Sequence, residues 1–331
     1  MEPKVQTFLS DPATQAPGLQ IGVVTPQGTI YLSWGSLSHS KDQPPQPDTI
    51  YEVASLTKPF TALLLAQLVI QGQVKLYDSV KPCLPTETSA WCYGGQALTW
   101  ADLLTHSSGL PALPDNLDLR DPQSPRRYAP QDLAAFLQGF QRTRSAPAGF
   151  AYSTLGYGLL GALLAEKTGL SFQTQLAQLT AQLGLPDTRL QLSSEQFLRL
   201  APGYIHTQLV PYFADAGGLT ASGGLKSSTR DLLHFLAQIL QLKPSAWAQP
   251  LALSMTLTGR RGAPFCQMAW GWQYFEFGKI YWHSGSAAGG KAFMAIDPQQ
   301  KNGVVILTNA RVMGFKFEPL GLHILEQLKH L

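Results

Sequence analysis

The stretch Tyr51-Glu-Val-Ala-Ser-Leu-Thr-Lys-Pro-Phe-Thr-Ala62 decides how the rest of the chain is read. It opens a helical pattern over Val53 to Gln71: Phe60, Leu63, Leu64, Gln67 and Leu68 recur at helical spacing, and Gly72 stops the run. Ser55 and Lys58 stand three residues apart, so Ser Oγ and Lys Nζ fall on one face, a turn from each other. A serine hydroxyl is a poor nucleophile at neutral pH and needs a neighbour to remove its proton. A lysine can do this when burial lowers its pKa, because desolvation disfavours the ammonium. The apolar run Phe60, Leu63, Leu64 supplies the means of burial.

By itself the S-x-x-K spacing says little. Ser38-His39-Ser40-Lys41 fits it as well, inside a polar, Pro-rich loop from Ser38 to Asp48 where nothing fixes the two side chains. A serine that caps the helix, followed by a solvated lysine, is the competing reading of Ser55 and Lys58. Context must separate them.

Upstream of the helix, Leu19–Thr25 and Thr29–Trp34 read as strands of a hairpin joined by Pro26-Gln27-Gly28. Downstream, helical patterns (Thr99–Leu104, Pro130–Gln141, Leu155–Thr168, Phe172–Leu183) alternate with Pro- and Gly-rich loops. Asp231–Leu242 is another helix. Strands return in Trp270–Tyr274, Lys279–His283, Ala292–Asp297 and Val304–Asn309, before a closing helix, Pro319–His330. The expected class is α+β: an antiparallel sheet flanked by terminal helices, with a mostly helical region inserted between its halves. Residues 1–74 and 216–331 form the sheet domain in this reading and 75–215 the insertion, with the active site between them.

Composition excludes several functions. Of 331 residues, 44% are hydrophobic and 14% charged, which suits a large core rather than a disordered tail or a charged coiled coil. The net charge of +3 is spread thinly, with no basic run beyond Arg126–Arg127 and Arg260–Arg261, so nucleic acid is not an expected partner. No apolar stretch reaches the roughly 20 residues of a membrane span; the longest, Phe60 to Ile70, contains Thr61 and Gln67. No signal peptide is visible at Met1-Glu-Pro-Lys-Val-Gln, which implies a cytoplasmic protein if Met1 is the native start and an exported one if a leader was trimmed. Cys83, Cys92 and Cys266 lack zinc-site spacing and read as free thiols, although Cys83 and Cys92 could close a small loop in an exported protein. No metal or organic cofactor is implied, and the expected partner is a small molecule. The oligomeric state is open.

Two further motifs carry chemistry. Tyr152-Ser153-Thr154 follows Ala148-Gly149-Phe150-Ala151 and precedes a helix whose Gly156, Gly158 and Gly161 allow close packing. A tyrosine held in such a loop can act as a base or proton shuttle if a cation stabilises its phenolate. His283-Ser284-Gly285 ends the strand-like run Ile280-Tyr281-Trp282, and Ser286-Ala287-Ala288-Gly289-Gly290 follows. Small residues at a strand edge can bare backbone N–H groups to a substrate oxygen, as an oxyanion hole requires. The aromatic residues Trp270, Trp272, Tyr274, Tyr281 and Trp282 read as core and strand residues.

In this order, the pieces resemble the serine β-lactamase and penicillin-binding-protein superfamily, and within it class C β-lactamases and related DD-peptidases and esterases. The resemblance runs from about Leu19 to Asn309 and includes Leu103-Leu-Thr-His-Ser-Ser-Gly-Leu-Pro, Gly217-Gly-Leu, Gly223-Gly-Leu-Lys-Ser-Ser-Thr-Arg-Asp-Leu, Asp297-Pro and Gly303-Val-Val-Ile-Leu-Thr-Asn. It implies Ser55 as the acylated nucleophile, Lys58 as its proton partner and Tyr152 as the relay to the leaving group. The oxyanion hole would be the backbone N–H groups of Ser55 and Ser286, and Gly285 would leave room for substrate. His283 stands where many relatives have the lysine of K-T-G, as in some DD-peptidases, aminopeptidases and esterases.

Two positions depart from the pattern. Relatives usually have Asn where this chain has Thr154, and a threonine hydroxyl cannot span both a substrate amide and the lysine. His283 carries a full charge only below about pH 6.5 unless its surroundings shift it, so it would hold a substrate carboxylate less firmly than lysine. Both favour a hydrolase of small esters or amides with weak β-lactam turnover. The alternatives are a DD-carboxypeptidase or transpeptidase, an efficient class C-like β-lactamase, and an inactive relative that binds an acyl ligand or a partner protein.

Overall fold

The computed structural model describes residues 16–40, 42–81, 92–93, 95–118, 128–143, 146–212, 217–311 and 317–329. Strands β1 (Gly18–Thr25) and β2 (Gly28–Gly35) form the expected hairpin, with Gly28 already paired to Thr25. Strand β3 (Ile50–Glu52) leads into a 3₁₀ turn (Ala54–Leu56) and helix α1 (Thr57–Ile70). The helical pattern from Val53 thus begins with a tighter turn. Ala54 there takes a φ of 45°, a left-handed conformation that a continuous α-helix does not admit.

Short hairpins β4–β5 (Cys92–Tyr93, Gln96–Ala97) and β6–β7 (Gly203–Ile205, Gln208–Val210) punctuate a mainly helical stretch. Its helices are α2 (Trp100–Leu104), α3 (Pro130–Gly139), α4 (Thr154–Thr168), α5 (Phe172–Gln182) and α6 (Ser194–Leu198). Then come α7 (Thr220–Gly223), β8 (Lys226–Ser228), α8 (Thr229–Ile239) and α9 (Ala248–Ser254). Strands β9 (Arg260–Arg261), β10 (Cys266–Met268), β11 (Gln273–Phe275), β12 (Ile280–Ala287), β13 (Gly290–Asp297) and β14 (Asn302–Thr308) precede the final helix α10 (Phe317–Leu328).

The main sheet has eight antiparallel strands in the order β2-β1-β14-β13-β12-β11-β10-β9. Its centre joins the two ends of the chain: β1 lies against β14, with Leu19 opposite Thr308. Period-2 alternation gives the sheet two apolar faces. Leu19, Ile21, Phe293 and Ile306 pack beneath α10 with Ile324 and Leu325. Met294, Ile296, Val305 and Leu307 join the larger core with α1, α4 and α8. Each fully buried large side chain contributes about 1.5–3 kcal/mol, so the sheet is held from both sides.

Two differences from the sequence reading bear on the site. Strand β12 does not end at His283: it runs on through Ala287, because Gly285 and Ser286 pair with Ala292 and Lys291 of β13. Strand β11 begins only at Gln273; Trp270 and Trp272 are buried around a turn in which Gly271 has a φ of 77°. The pair β3–β8 (Glu52 opposite Lys226) is too short to show a period. Cys266 is a buried free thiol; Cys83 lies outside the described residues, as does Lys41 of the second S-x-x-K. Among the described residues no helix is long and apolar enough to cross a membrane.

Candidate active site

Ser55 lies in the 3₁₀ turn, and no side chain caps the helix that follows. Its hydroxyl is therefore not spent on the helix terminus. The left-handed Ala54 costs on the order of 1 kcal/mol or more, and a web of bonds holds it: Thr57 Oγ1 donates to Ala54 O at 2.7 Å and accepts Leu225 N–H at 3.0 Å. Thr61 Oγ1 donates to Ala221 O at 2.6 Å, tying α1 to α7.

Lys58 is fully buried one turn on. Its Nζ lies 3.1 Å from Ser55 Oγ and donates to Ser222 O at 2.8 Å. It also sits over the Tyr152 ring, 4.7 Å from the centroid. Burial lowers its pKa to about 7, so a large share of the amine is neutral at physiological pH. The second S-x-x-K is different in kind: Ser38 Oγ stands on an exposed loop 3.4 Å from Ser40 Oγ.

Tyr152 precedes α4, whose N-cap Ser153 accepts Gly156 N–H at 2.9 Å. Helix α4 approaches α7 as closely as its small residues promise: a Cβ on Gly161 would overlap that of Ala221. The Tyr152 hydroxyl shares a hydrogen bond with Ser55, which pulls the phenol's pKa down, but burial outweighs it and pushes the phenol well above its usual range. The phenolate foreseen from sequence is thus unfavourable near neutral pH. Lys58 is the better proton acceptor, and Tyr152 is a neutral group able to accept and pass on a proton.

Strand β12 closes the other side. By alternation Gly285 faces the turn that carries Ser55, while Ser286 belongs with Ile280 and Trp282 on the opposite face and offers the turn only its backbone. The space beside Gly285 is filled: a Cβ there would overlap the Val53 carbonyl oxygen and stand 3.1 Å from Ser55 N. Gly285 makes room for the turn that carries Ser55 rather than for substrate. Gly285→Ala is expected to cost about 1–3 kcal/mol by overpacking, read as a lowered urea midpoint; an unchanged midpoint would show that β12 yields freely.

His283 also departs from expectation. It is buried, with Nδ1 2.8 Å from Ser284 O and its ring 6.3 Å from that of Tyr152. Burial first, and the nearby Lys58 second, lower its pKa to about 3. It is uncharged throughout the physiological range, so it offers no cation to a carboxylate. A neutral ring that donates from Nδ1 to its own chain leaves Nε2 as an acceptor.

Ser55, Thr154 and Ser286 line one cleft of about 240 Å³, with Leu113, Leu219 and Ala287 making its wall largely apolar. Two residues at the site were not singled out by sequence reasoning. Lys226 lines the cleft, fully buried, its Nζ donating to Leu190 O at 2.9 Å and lying 5.1 Å from the Tyr212 ring centroid. His106 lies against Tyr152 with ring centroids 4.3 Å apart. Both stand in stretches whose family resemblance was visible (Leu103 to Pro111 and Gly223 to Leu232), but spacing alone gives neither a partner.

The Beta-lactamase family matches residues 4–329, and the chain belongs to that family. It is 26% identical to a β-lactamase of Pseudomonas fluorescens, over 88% of each chain. It is 28% identical to the D-alanyl-D-alanine-carboxypeptidase/endopeptidase AmpH of Escherichia coli K12, over 91% of this chain and 82% of the relative. The fold is that of a class C β-lactamase solved in complex with cefoxitin: TM-score 0.87, 21% identity, 98% of this chain and 97% of the other.

Proposed function

We propose that the protein is a serine acyl hydrolase that forms an acyl-Ser55 intermediate on small carboxylic esters or amides and turns over β-lactams weakly. The observation that carries this reading is Lys58 Nζ, 3.1 Å from Ser55 Oγ and lowered by burial to about pKa 7. The neutral amine takes the Ser55 proton as Oγ attacks the substrate carbonyl. The backbone N–H groups of Ser55 and Ser286 stabilise the oxyanion. Tyr152 passes a proton to the leaving group, and water then releases the acid by the reverse sequence.

Substrate preference follows from charge and size. His283 is neutral, and Thr154 has one hydroxyl where an amide would both donate and accept. The apolar cleft of about 240 Å³ suits a short acyl chain. A second reading, D-alanyl-D-alanine carboxypeptidase, draws on the name of the E. coli relative. Against it, His283 is buried and uncharged and so offers no cation to the terminal carboxylate of such a peptide, and Lys226 is engaged by Leu190 O and the Tyr212 ring.

Time-resolved mass spectrometry of the intact protein tests this, with p-nitrophenyl butyrate, a penicillin and a peptide ending in D-Ala-D-Ala supplied separately. Fast nitrophenol release beside a lingering penicillin adduct is the expected result. Rapid penicillin turnover without an adduct would make the protein an efficient β-lactamase, and faster D-alanine release a carboxypeptidase. No adduct and no turnover would make it an inactive relative.

A further inference from the structure

His106 follows α2 and takes a φ of 56°, a conformation that costs a non-glycine residue on the order of 1 kcal/mol and that histidine visits more readily than most. From there this one residue meets the tyrosine segment in three ways. Its carbonyl accepts the Ala151 N–H at 2.9 Å. Its Nδ1 accepts the Ser153 N–H at 3.0 Å. Its ring lies across that of Tyr152, with centroids 4.3 Å and planes 30° apart. The ring itself is penned by Phe150, edge-on at 5.8 Å, and by Tyr157 at 5.1 Å, whose hydroxyl donates to Leu104 O.

We propose that His106 is the positioning residue for Tyr152: its carbonyl holds the backbone before the tyrosine, and its neutral imidazole holds the backbone after it and sets the plane of the tyrosine ring, so that the hydroxyl meets Ser55. An Nδ1 that accepts a backbone N–H cannot also carry a proton. The titratable groups facing the ring are Lys58, His283, Tyr152 and Tyr157, and Lys58 and His283 add to burial in opposing a charge on it. His106 therefore stays an acceptor while Lys58 titrates beside it. This inference rests on the reading of Ser55 as nucleophile.

The test is the rate at which a fluorophosphonate adds to Ser55, read by intact mass per folded molecule from pH 6 to 9. In that step the Oγ–P bond forms and the P–F bond breaks; fluoride leaves and the hydroxyl proton passes to Lys58. His106→Ala is expected to slow labelling about 100-fold, the scale of a misplacement near 1 Å. His106→Asn keeps an acceptor and tolerates the left-handed backbone, so it should recover about ten-fold of that loss. In both, the midpoint of the acid limb should rise, because a smaller side chain admits water to Lys58. A purely structural role would lower the fraction labelled and leave the rate and midpoint alone. Should His106→Ala not fold, His106→Phe takes its place, keeping the ring and losing only the acceptor. Variants labelled within two-fold of wild type with an unmoved midpoint, or an Asn variant no faster than Ala, would overturn the proposal alone. Equal labelling of wild type and Ser55→Ala would overturn the reading beneath it as well.

Discussion

Ser55→Ala is expected to lower turnover of p-nitrophenyl butyrate by about 10⁴-fold or more, the scale on which removing the nucleophile acts in a covalent hydrolase. The reason is local. Ser55 Oγ is the atom that Lys58 Nζ approaches at 3.1 Å and that Tyr152 also engages, and no neighbour in that turn has a hydroxyl to replace it except Thr57. Thr57 Oγ1 is committed to Ala54 O and Leu225 N, so it cannot substitute. The fold should survive, because Ser55 caps nothing. Ser38→Ala is the matched control: the same motif on an exposed loop, with turnover expected within two-fold of wild type. Full activity in the Ser55 variant would end the acyl-enzyme mechanism.

Lys58→Met should lower turnover by about 10³-fold and, unusually for a site variant, raise the melting temperature. The wild-type amine titrates at about 7 when folded and at 10.5 as a free side chain. The unfolded chain therefore holds the extra proton between those values, and stability rises with pH across that window. Below about pH 7 the penalty is fully present; at pH 7 it is roughly 4 kcal/mol. Methionine removes that penalty and leaves the Ser222 carbonyl without its donor, which costs about 1–3 kcal/mol. Catalysis has the matching sign: only the neutral amine accepts the Ser55 proton, so the acylation rate should climb with pH through about 7 and level off above it. A flat profile from pH 6 to 9, or a Met variant that melts lower than wild type, would remove Lys58 from this role.

The elements read best from sequence are those whose period is long enough to show. The hairpin Leu19 to Trp34 and the helices over 155–168 and 172–183 differ from the structure by a residue or two. Strand β12 was read short because Ser284 to Ala287 lack the β-branched and aromatic residues that mark strands; only their ladder to β13 keeps them extended. At the site, the meeting of Ser55 and Lys58 was legible, since a spacing of three fixes it within one turn. Burial was not legible. It decides that His283 is uncharged and that the Tyr152 phenol is held above its ordinary range. His106 escaped for a related reason: its partner Ser153 lies 47 residues away in sequence, and no local pattern announces it.

The pairing of β1 with β14 sets the order in which the molecule can be made. Thr308 Oγ1 donates to Gly18 O across 290 residues of chain, and the N-terminal hairpin has no place in the main sheet until the last strand has left the ribosome. Contacts of such separation are slow to form, because the closure entropy of a long loop precedes any gain from pairing. Meanwhile the apolar faces of β1 and α1 stay open to aggregation. Strand β12, one wall of the cleft, reaches β1 only through β13 and β14. A growing chain would thus carry Ser55 and Lys58 long before it has a catalyst, and activity should appear all at once, when β14 takes its place, rather than build up as synthesis proceeds.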